Sequence, residues 1–139
     1  MAITKILYRN GGLQRAIDYI TNPAKTNEQL LTDYVRCDPG YAAQQMMDTK
    51  RALGKTAGRQ CYHIIQSFKP DEITPELAHE IARQFAAAHL PGYEAVIATH
   101  VDKAHIHSHI VFNSVNAVTG KMYHSTRENY YKQIRGISD

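Results

Sequence analysis

The sequence predicts an α+β fold, an antiparallel β-sheet with helices packed on one face in a ferredoxin-like arrangement. Three observations predict it. Hydrophobic periodicity switches between two and about 3.6 residues along the chain, in the order β-α-α-β-α-β-β-α. Two apolar runs, Ala95–Thr99 and Ile106–Phe112, flank a short polar turn at Asp102-Lys103, which is a hairpin pattern. Helix starts and stops, including Thr21-Asn22-Pro23, Thr74-Pro75-Glu76 and Pro91-Gly92, fall between the periodic runs.

Taken in order, residues 3–8 read as a first strand, broken by Asn10-Gly11-Gly12. Leu13–Ile20 follows as a short helix. At about 100° per residue, Leu13, Ile17 and Ile20 share a narrow sector with Ala16 at its edge. Tyr19 lies roughly 100° from the centre of that sector, where its ring packs while its hydroxyl stays free. Residues 24–37 are polar and mixed, and read as loop with a little helix. Asp38-Pro39 looks like an N-cap followed by proline at the first helical position, opening a helix that runs to Leu53 with Gly54 as its stop. Lys50, Arg51, Lys55 and Arg59 cluster at its end. Such a cluster is either a solvated helix terminus complementing the dipole or a set of phosphate contacts.

Cys61–Phe68 reads as the second strand, with Tyr62, Ile64 and Phe68 on one face and His63, Ile65 and Ser67 on the other. Lys69-Pro70-Asp71 ends it, and Thr74 caps a helix whose apolar face is Leu77, Ile81, Phe85 and Ala88. After the hairpin, Thr119-Gly120 turns the chain and residues 121–124 are extended. Ser125-Thr-Arg-Glu128 has capping-box spacing and opens a last helix, with Tyr130, Ile134 and Ile137 facing inward and Tyr131 as helix packing. The helical pattern is still running near Asp139, so residues 1–139 read as one domain cut from a longer protein.

The totals set bounds. At 139 residues, 43% hydrophobic and 21% charged, the chain is an ordinary single domain with enough length for a core. A net charge of +3 is compatible with nucleic acid without demanding it. Two cysteines without recognisable spacing argue against a disulfide scaffold and suit a reducing cytoplasm. No apolar run approaches the roughly 18 residues that span a bilayer.

The densest chemistry lies between His100 and Asn113, where four of the eight histidines fall within ten residues. In the alternation from His105 to Asn113, odd positions carry His105, His107, His109, Val111 and Asn113, while even positions carry Ile106, Ser108, Ile110 and Phe112. Three imidazoles thus line one face of a strand. Cross-strand neighbours lie roughly 5 Å apart and diagonal ones roughly 7–8 Å, near enough for His100 and two of these histidines to share a cation. A closed structural zinc site normally recruits cysteine. Neutral imidazoles with no thiolate suit an open, working divalent ion. A four-residue hairpin loop would set His105 opposite His100, so spacing alone leaves the choice of pair open.

These residues resemble the three motifs of conjugative and mobilisation relaxases of the MobP type, within the His-hydrophobe-His single-strand endonucleases. The motifs are Ala16–Ile20, Tyr62–Phe68 and the histidine hairpin. The resemblance implies that Tyr19 is the nucleophile, that Ser67 contacts DNA near the cut, and that His100, His107 and His109 hold a metal, Mn²⁺ or Mg²⁺. It also makes Asp102 the acidic residue of the motif, placed to hold a ligand histidine's second nitrogen or to sit near Tyr19. His105 then holds a ligand histidine from behind or handles a proton, and His63 and Asn113 are supporting residues, Asn113 by orienting a ligand or the phosphate. Lys50, Arg51, Lys55, Arg59, Lys69 and Lys103 would follow the DNA strand. The implied reaction is nicking of single-stranded DNA at an origin of transfer through a 5′-phosphotyrosyl link, helped by an accessory DNA-binding protein and transfer machinery. A free tyrosine ionises near pH 10, so a base or nearby positive charge has to assist. Competing readings are a rolling-circle replication initiator, a metal-dependent hydrolase without a covalent step, and a non-catalytic nucleic-acid-binding module.

Overall fold

The computed structural model describes residues 3–9, 11–26 and 31–123. They form β1 (Ile3–Arg9), α1 (Leu13–Ile20), β2 (Thr32–Val35), α2 (Ala42–Ala52), β3 (Cys61–Phe68), α3 (Pro75–His89), β4 (Ala95–His100) and β5 (Ile106–Asn113). The strands make one sheet in the order β1-β3-β5-β4-β2, antiparallel throughout. The α+β class and the antiparallel sheet are those expected from the sequence. The helix expected after Ser125, with Tyr130, Tyr131, Ile134 and Ile137, lies outside the described residues.

Both faces of the sheet carry helices, so the single helical layer expected above is corrected. On one face, Ile64, Ile97, Ile110 and Phe112 pack against Ala82, Phe85 and Ala86 of α3. On the other, Val96, Ala98 and Val111 pack under Leu13, Ala16, Ile17 and Ile20 of α1 and Ala42, Ala43 and Met46 of α2. The reason lies in β5 itself. Its odd positions are histidine at one end and Val111 at the other, and the apolar end has to be covered. Two helices therefore share the histidine face and cover only part of it.

Three local expectations also change. Residues 32–35 form an edge strand paired with β4, where a loop was expected. All four are only half-buried, and so short a run carries little periodicity. Helix α2 begins at Ala42 and not at a cap on Asp38. Asp38-Pro39-Gly40 is instead a turn closed by the Tyr41 amide donating to the Asp38 carbonyl at 3.1 Å, with Gly40 at φ 82°. In α3, Thr74 caps as expected, accepting from the Leu77 amide at 3.2 Å. Its buried stripe, however, is Ala78, His79, Ala82, Phe85 and Ala86, while Leu77 is exposed. Phe85 is buried as expected, and Ile81 is half-buried beside Phe68 and Ile106.

Candidate active site

Helix α1 sets the site. Burial of Ile17 and Ile20 fixes the rotation of this eight-residue helix and leaves Tyr19 on its flank, 49% exposed. The Tyr19 ring stands edge-on to two imidazoles, 5.5 Å from His100 and 6.0 Å from His109 between centroids. His100 ends β4, and its Nε2 lies 2.9 Å from the carbonyl of Ile20, the residue after the tyrosine. A carbonyl only accepts, so the ring proton sits on Nε2 and the lone pair of the neutral ring on Nδ1. One hydrogen bond thus ties the end of α1 to His100 and sets that ring's tautomer.

The histidine pairing follows from the register. His100 lies opposite His107, and Ala98 opposite His109, with the loop 101–105 between the strands. His100 and His109 approach to 4.0 Å between ring centroids, while His107 stands 6.3 Å from His109. Behind His109, His63 of β3 places its Nε2 at 2.7 Å from His109 Nδ1. Tyr19, His100, His107 and His109 line a cavity of about 270 Å³ together with Lys5, Lys25, Ile65, Ser67, Asp102 and Lys103.

Burial, with neighbouring positive charge adding to it, drives these imidazoles to the neutral form. It lowers the pKa of His100 and His107, that of His63 to about 4 and that of His109 to about 2. Neutral imidazole is the ligating form, so the donor chemistry fits a divalent cation. Among the described residues, no three His, Cys, Asp or Glu side chains already stand as a finished ligand set. His100 and His109 are adjacent, and His107 lies farther out.

A pH dependence follows. His63 has a folded-state pKa below its unfolded value of about 6.5, so the unfolded chain binds the extra proton. Its contribution to stability is intact above about pH 6.5 and is lost as pH falls from there toward 4. The metal-free domain is expected to lose on the order of 2–3 kcal/mol over that window through this group, at about 1.4 kcal/mol per unit. Urea melts at a series of pH values measure it, and flat stability from pH 7 to 4.5 would contradict the burial argument.

The remaining expected site residues divide by position. Ser67 and Lys103 line the cavity, and Ser67 lies opposite His107 in register. Lys69 is exposed just beyond β3. Asp102 makes an ion pair with Lys25, Nζ to Oδ2 at 3.2 Å, where a contact with a histidine or Tyr19 was expected. His105 is exposed in the hairpin loop, outside the cavity lining, its ring 6.5 Å from that of His107. That position gives it no contact through which to move a proton at Tyr19, because β5 begins only at Ile106.

The basic cluster around the end of α2 lies at the far end of the sheet, six residues along β5 from His107, or about 20 Å. Arg51 pairs with Asp48, Lys55 bonds the Gly120 carbonyl, and Arg59 stacks on the Tyr8 ring at 3.7 Å. Lys50 and Asn113 are both fully buried, which corrects their expected roles in DNA binding and ligand orientation. The Lys50 ammonium bonds Asn113 Oδ1, and the Asn113 amide donates to the Met46 carbonyl at 3.1 Å and to Glu94 Oε1 at 2.9 Å. Burial pushes the Lys50 pKa down to about 8. Lys50→Ala is expected to destabilise the fold by about 2–3 kcal/mol, because the buried Asn113 Oδ1 loses its donor and the fully buried lysine stem leaves a cavity. Chemical denaturation checks this, and unchanged stability would refute the network.

Sequence reasoning missed Lys5 and Lys25. Lys5 belongs to the cavity only because β1 pairs with β3 so that Lys5 lies opposite Ile65. Lys25 sits in a turn with no periodic signal.

Comparison with known proteins then decides the family. The family model "Relaxase: MobA/VirD2-like, nuclease domain" matches residues 19–139. The chain belongs to the MobA/VirD2-like relaxases. It is 38% identical to "Protein rlx" of Staphylococcus aureus over 128 residues, covering 92% of this chain and 39% of that one. It is 37% identical to "Group II intron-interrupted relaxase LtrB" of Lactococcus lactis subsp. cremoris (strain MG1363), covering 80% of this chain and 24% of that one. The relaxase domain therefore spans well under half the length of these relatives. A solved structure described as "Molecular Basis of Vancomycin Resistance Transfer in Staphylococcus aureus" superposes with a TM-score of 0.69 at 11% identity. It covers 99% of this chain and 88% of that one, and at that identity the likeness shows the fold. Among the described residues, no helix of this relaxase domain is long and apolar enough to cross a membrane.

Proposed function

We propose that this domain is the catalytic unit of a DNA relaxase that nicks one strand at an origin of transfer, with Tyr19 as nucleophile. The observation that carries the reading is the Tyr19 ring edge-on to His100 and His109 within one cavity. The Tyr19 oxygen bonds to phosphorus and the bond to the 3′ oxygen breaks. The phenolic proton passes through solvent to the released 3′ oxygen. A 5′-phosphotyrosyl link and a free 3′-hydroxyl result, and reversal on another 3′-hydroxyl rejoins strands.

His100, His107 and His109 are the residues that would hold Mn²⁺ or Mg²⁺. Bound there, the cation would neutralise charge on the scissile phosphate in the transition state. His63 holds His109 from behind, and the Ile20 carbonyl orients His100 and leaves its Nδ1 lone pair available. Ser67, opposite His107, offers a hydroxyl to the strand next to the cut. A water-excluded apolar pocket is absent from this scheme; the cavity is open and cationic, as a single strand entering from solvent requires. In the cell the domain acts in the cytoplasm with an accessory DNA-binding protein and transfer machinery.

Incubation with a labelled single-stranded oligonucleotide carrying the origin, plus Mn²⁺, tests the proposal. Mass spectrometry is expected to find a nucleotide adduct on the peptide containing Tyr19. Nicking without any adduct would favour a hydrolase with no covalent step. Nicking of a replication origin in preference to a transfer origin would favour a rolling-circle initiator.

A further inference from the structure

Lys25 is a cavity residue that the reaction scheme above leaves without a role. It sits six residues after Tyr19, in a turn fixed by local hydrogen bonds. The Ala24 amide donates to Asn22 Oδ1 at 2.9 Å, and the Lys25 amide to the Asn22 carbonyl at 3.0 Å. The Val101 amide donates to the Lys25 carbonyl at 2.7 Å. The backbone of Lys25 is thereby pinned beside both elements that matter, the end of α1 with Tyr19 and the end of β4 with His100. Its ammonium lies 5.5 Å from the centroid of the Tyr19 ring and 3.2 Å from Asp102 Oδ2.

We propose that Lys25 is a phosphate-contacting residue of the nicking site, and that its ammonium leaves Asp102 for the backbone phosphate that enters the cavity beside Tyr19. The inference rests on the proposed relaxase reading. Two features carry it. First, the cavity lining holds three ammoniums, Lys5, Lys25 and Lys103, against the single carboxylate of Asp102. That excess suits an anionic occupant. Second, the Lys25–Asp102 pair is roughly a quarter exposed on each side, 27% and 26%. Pairs this exposed contribute little to stability and are easily exchanged. A lysine committed to holding the hairpin would be buried with its partner, as Lys50 is with Asn113. In the free protein Asp102 therefore occupies the place a phosphate takes, and it competes with DNA for the same ammonium.

The competition gives a test in which two substitutions move in opposite directions. Binding of a labelled single-stranded oligonucleotide of mixed sequence is measured by anisotropy at a series of salt concentrations, in a Tyr19→Phe background so that no cleavage intervenes. Lys25→Met is expected to weaken binding several-fold and to reduce the slope of log affinity against log salt by about 0.7, the value of one phosphate contact on a single strand. Lys25→Arg is expected to retain the slope. Asp102→Asn is expected to tighten binding, since it frees the ammonium. If Lys25→Met and Asp102→Asn weaken binding alike, the pair is a structural tie and the proposal fails. An unchanged slope in Lys25→Met also overturns it and leaves the relaxase reading standing. No binding by the parent protein overturns both.

Discussion

Tyr19→Phe is expected to abolish the covalent adduct and to lower nicking on the order of 10⁴-fold or more, the scale seen when a nucleophile is removed from a catalytic unit. The chain has nine tyrosines, so the residue has to be argued from placement. Tyr62 and Tyr123 are buried with Phe112 in an aromatic cluster beneath α3, on the sheet face away from the cavity. Their hydroxyls are out of reach of a phosphate. Tyr8 is stacked under Arg59, and Tyr41 precedes α2 on the exposed side. Tyr19 alone among the described tyrosines lines the histidine cavity. Removing one hydroxyl leaves its ring contacts with His100 and His109 intact, so the variant is expected to fold and to bind single-stranded DNA as before. Single-turnover cleavage of the origin oligonucleotide, read on a denaturing gel, measures the loss. Nicking at an undiminished rate would remove Tyr19 from the mechanism, and the phosphotyrosyl intermediate with it.

The parts of this arrangement that were legible in the sequence share a cause. Alternation in β5 and the narrow apolar sector of α1 are local patterns enforced by burial, and they put His107, His109 and Tyr19 on definable faces, while His105 falls in the loop before the strand. The register that sets His100 opposite His107 was not legible, because spacing is equally compatible with a shorter loop that pairs His100 with His105. The pairing of β1 with β3, which brings Lys5 to the cavity, is a contact across some sixty residues that no local pattern encodes. The basic residues at the end of α2 misled for a related reason. Composition shows a cluster, but only the packing of α2 on β5 turns Lys50 inward to Asn113. Edge strand β2 was missed because four half-buried residues carry no clear period, although they complete the sheet beside β4.

The central histidine should be the one whose loss the site tolerates least. His109→Ala is expected to weaken Mn²⁺ binding by well over 100-fold, beyond the 10–100-fold typical when only an outer partner of a ligand is lost, and to reduce nicking in step. His109 stands at the centre of the histidine cluster. Its ring is 4.0 Å from that of His100 and 6.3 Å from that of His107, edge-on to Tyr19, and hydrogen-bonded to His63. It sits between β3 and β4 in the sheet, opposite Ile65 and Ala98, so its backbone is fixed from both sides. His105→Ala is the contrasting variant. That ring is exposed on the loop, and its removal is expected to change Mn²⁺ affinity by no more than about threefold, within the range of surface substitutions. Calorimetric titration of the two variants with Mn²⁺, after thermal melts establish that both are folded, separates ligand loss from unfolding. Loss in His105→Ala with little in His109→Ala would place the cation on the loop side, around His105 and His107, and would take the metal away from Tyr19.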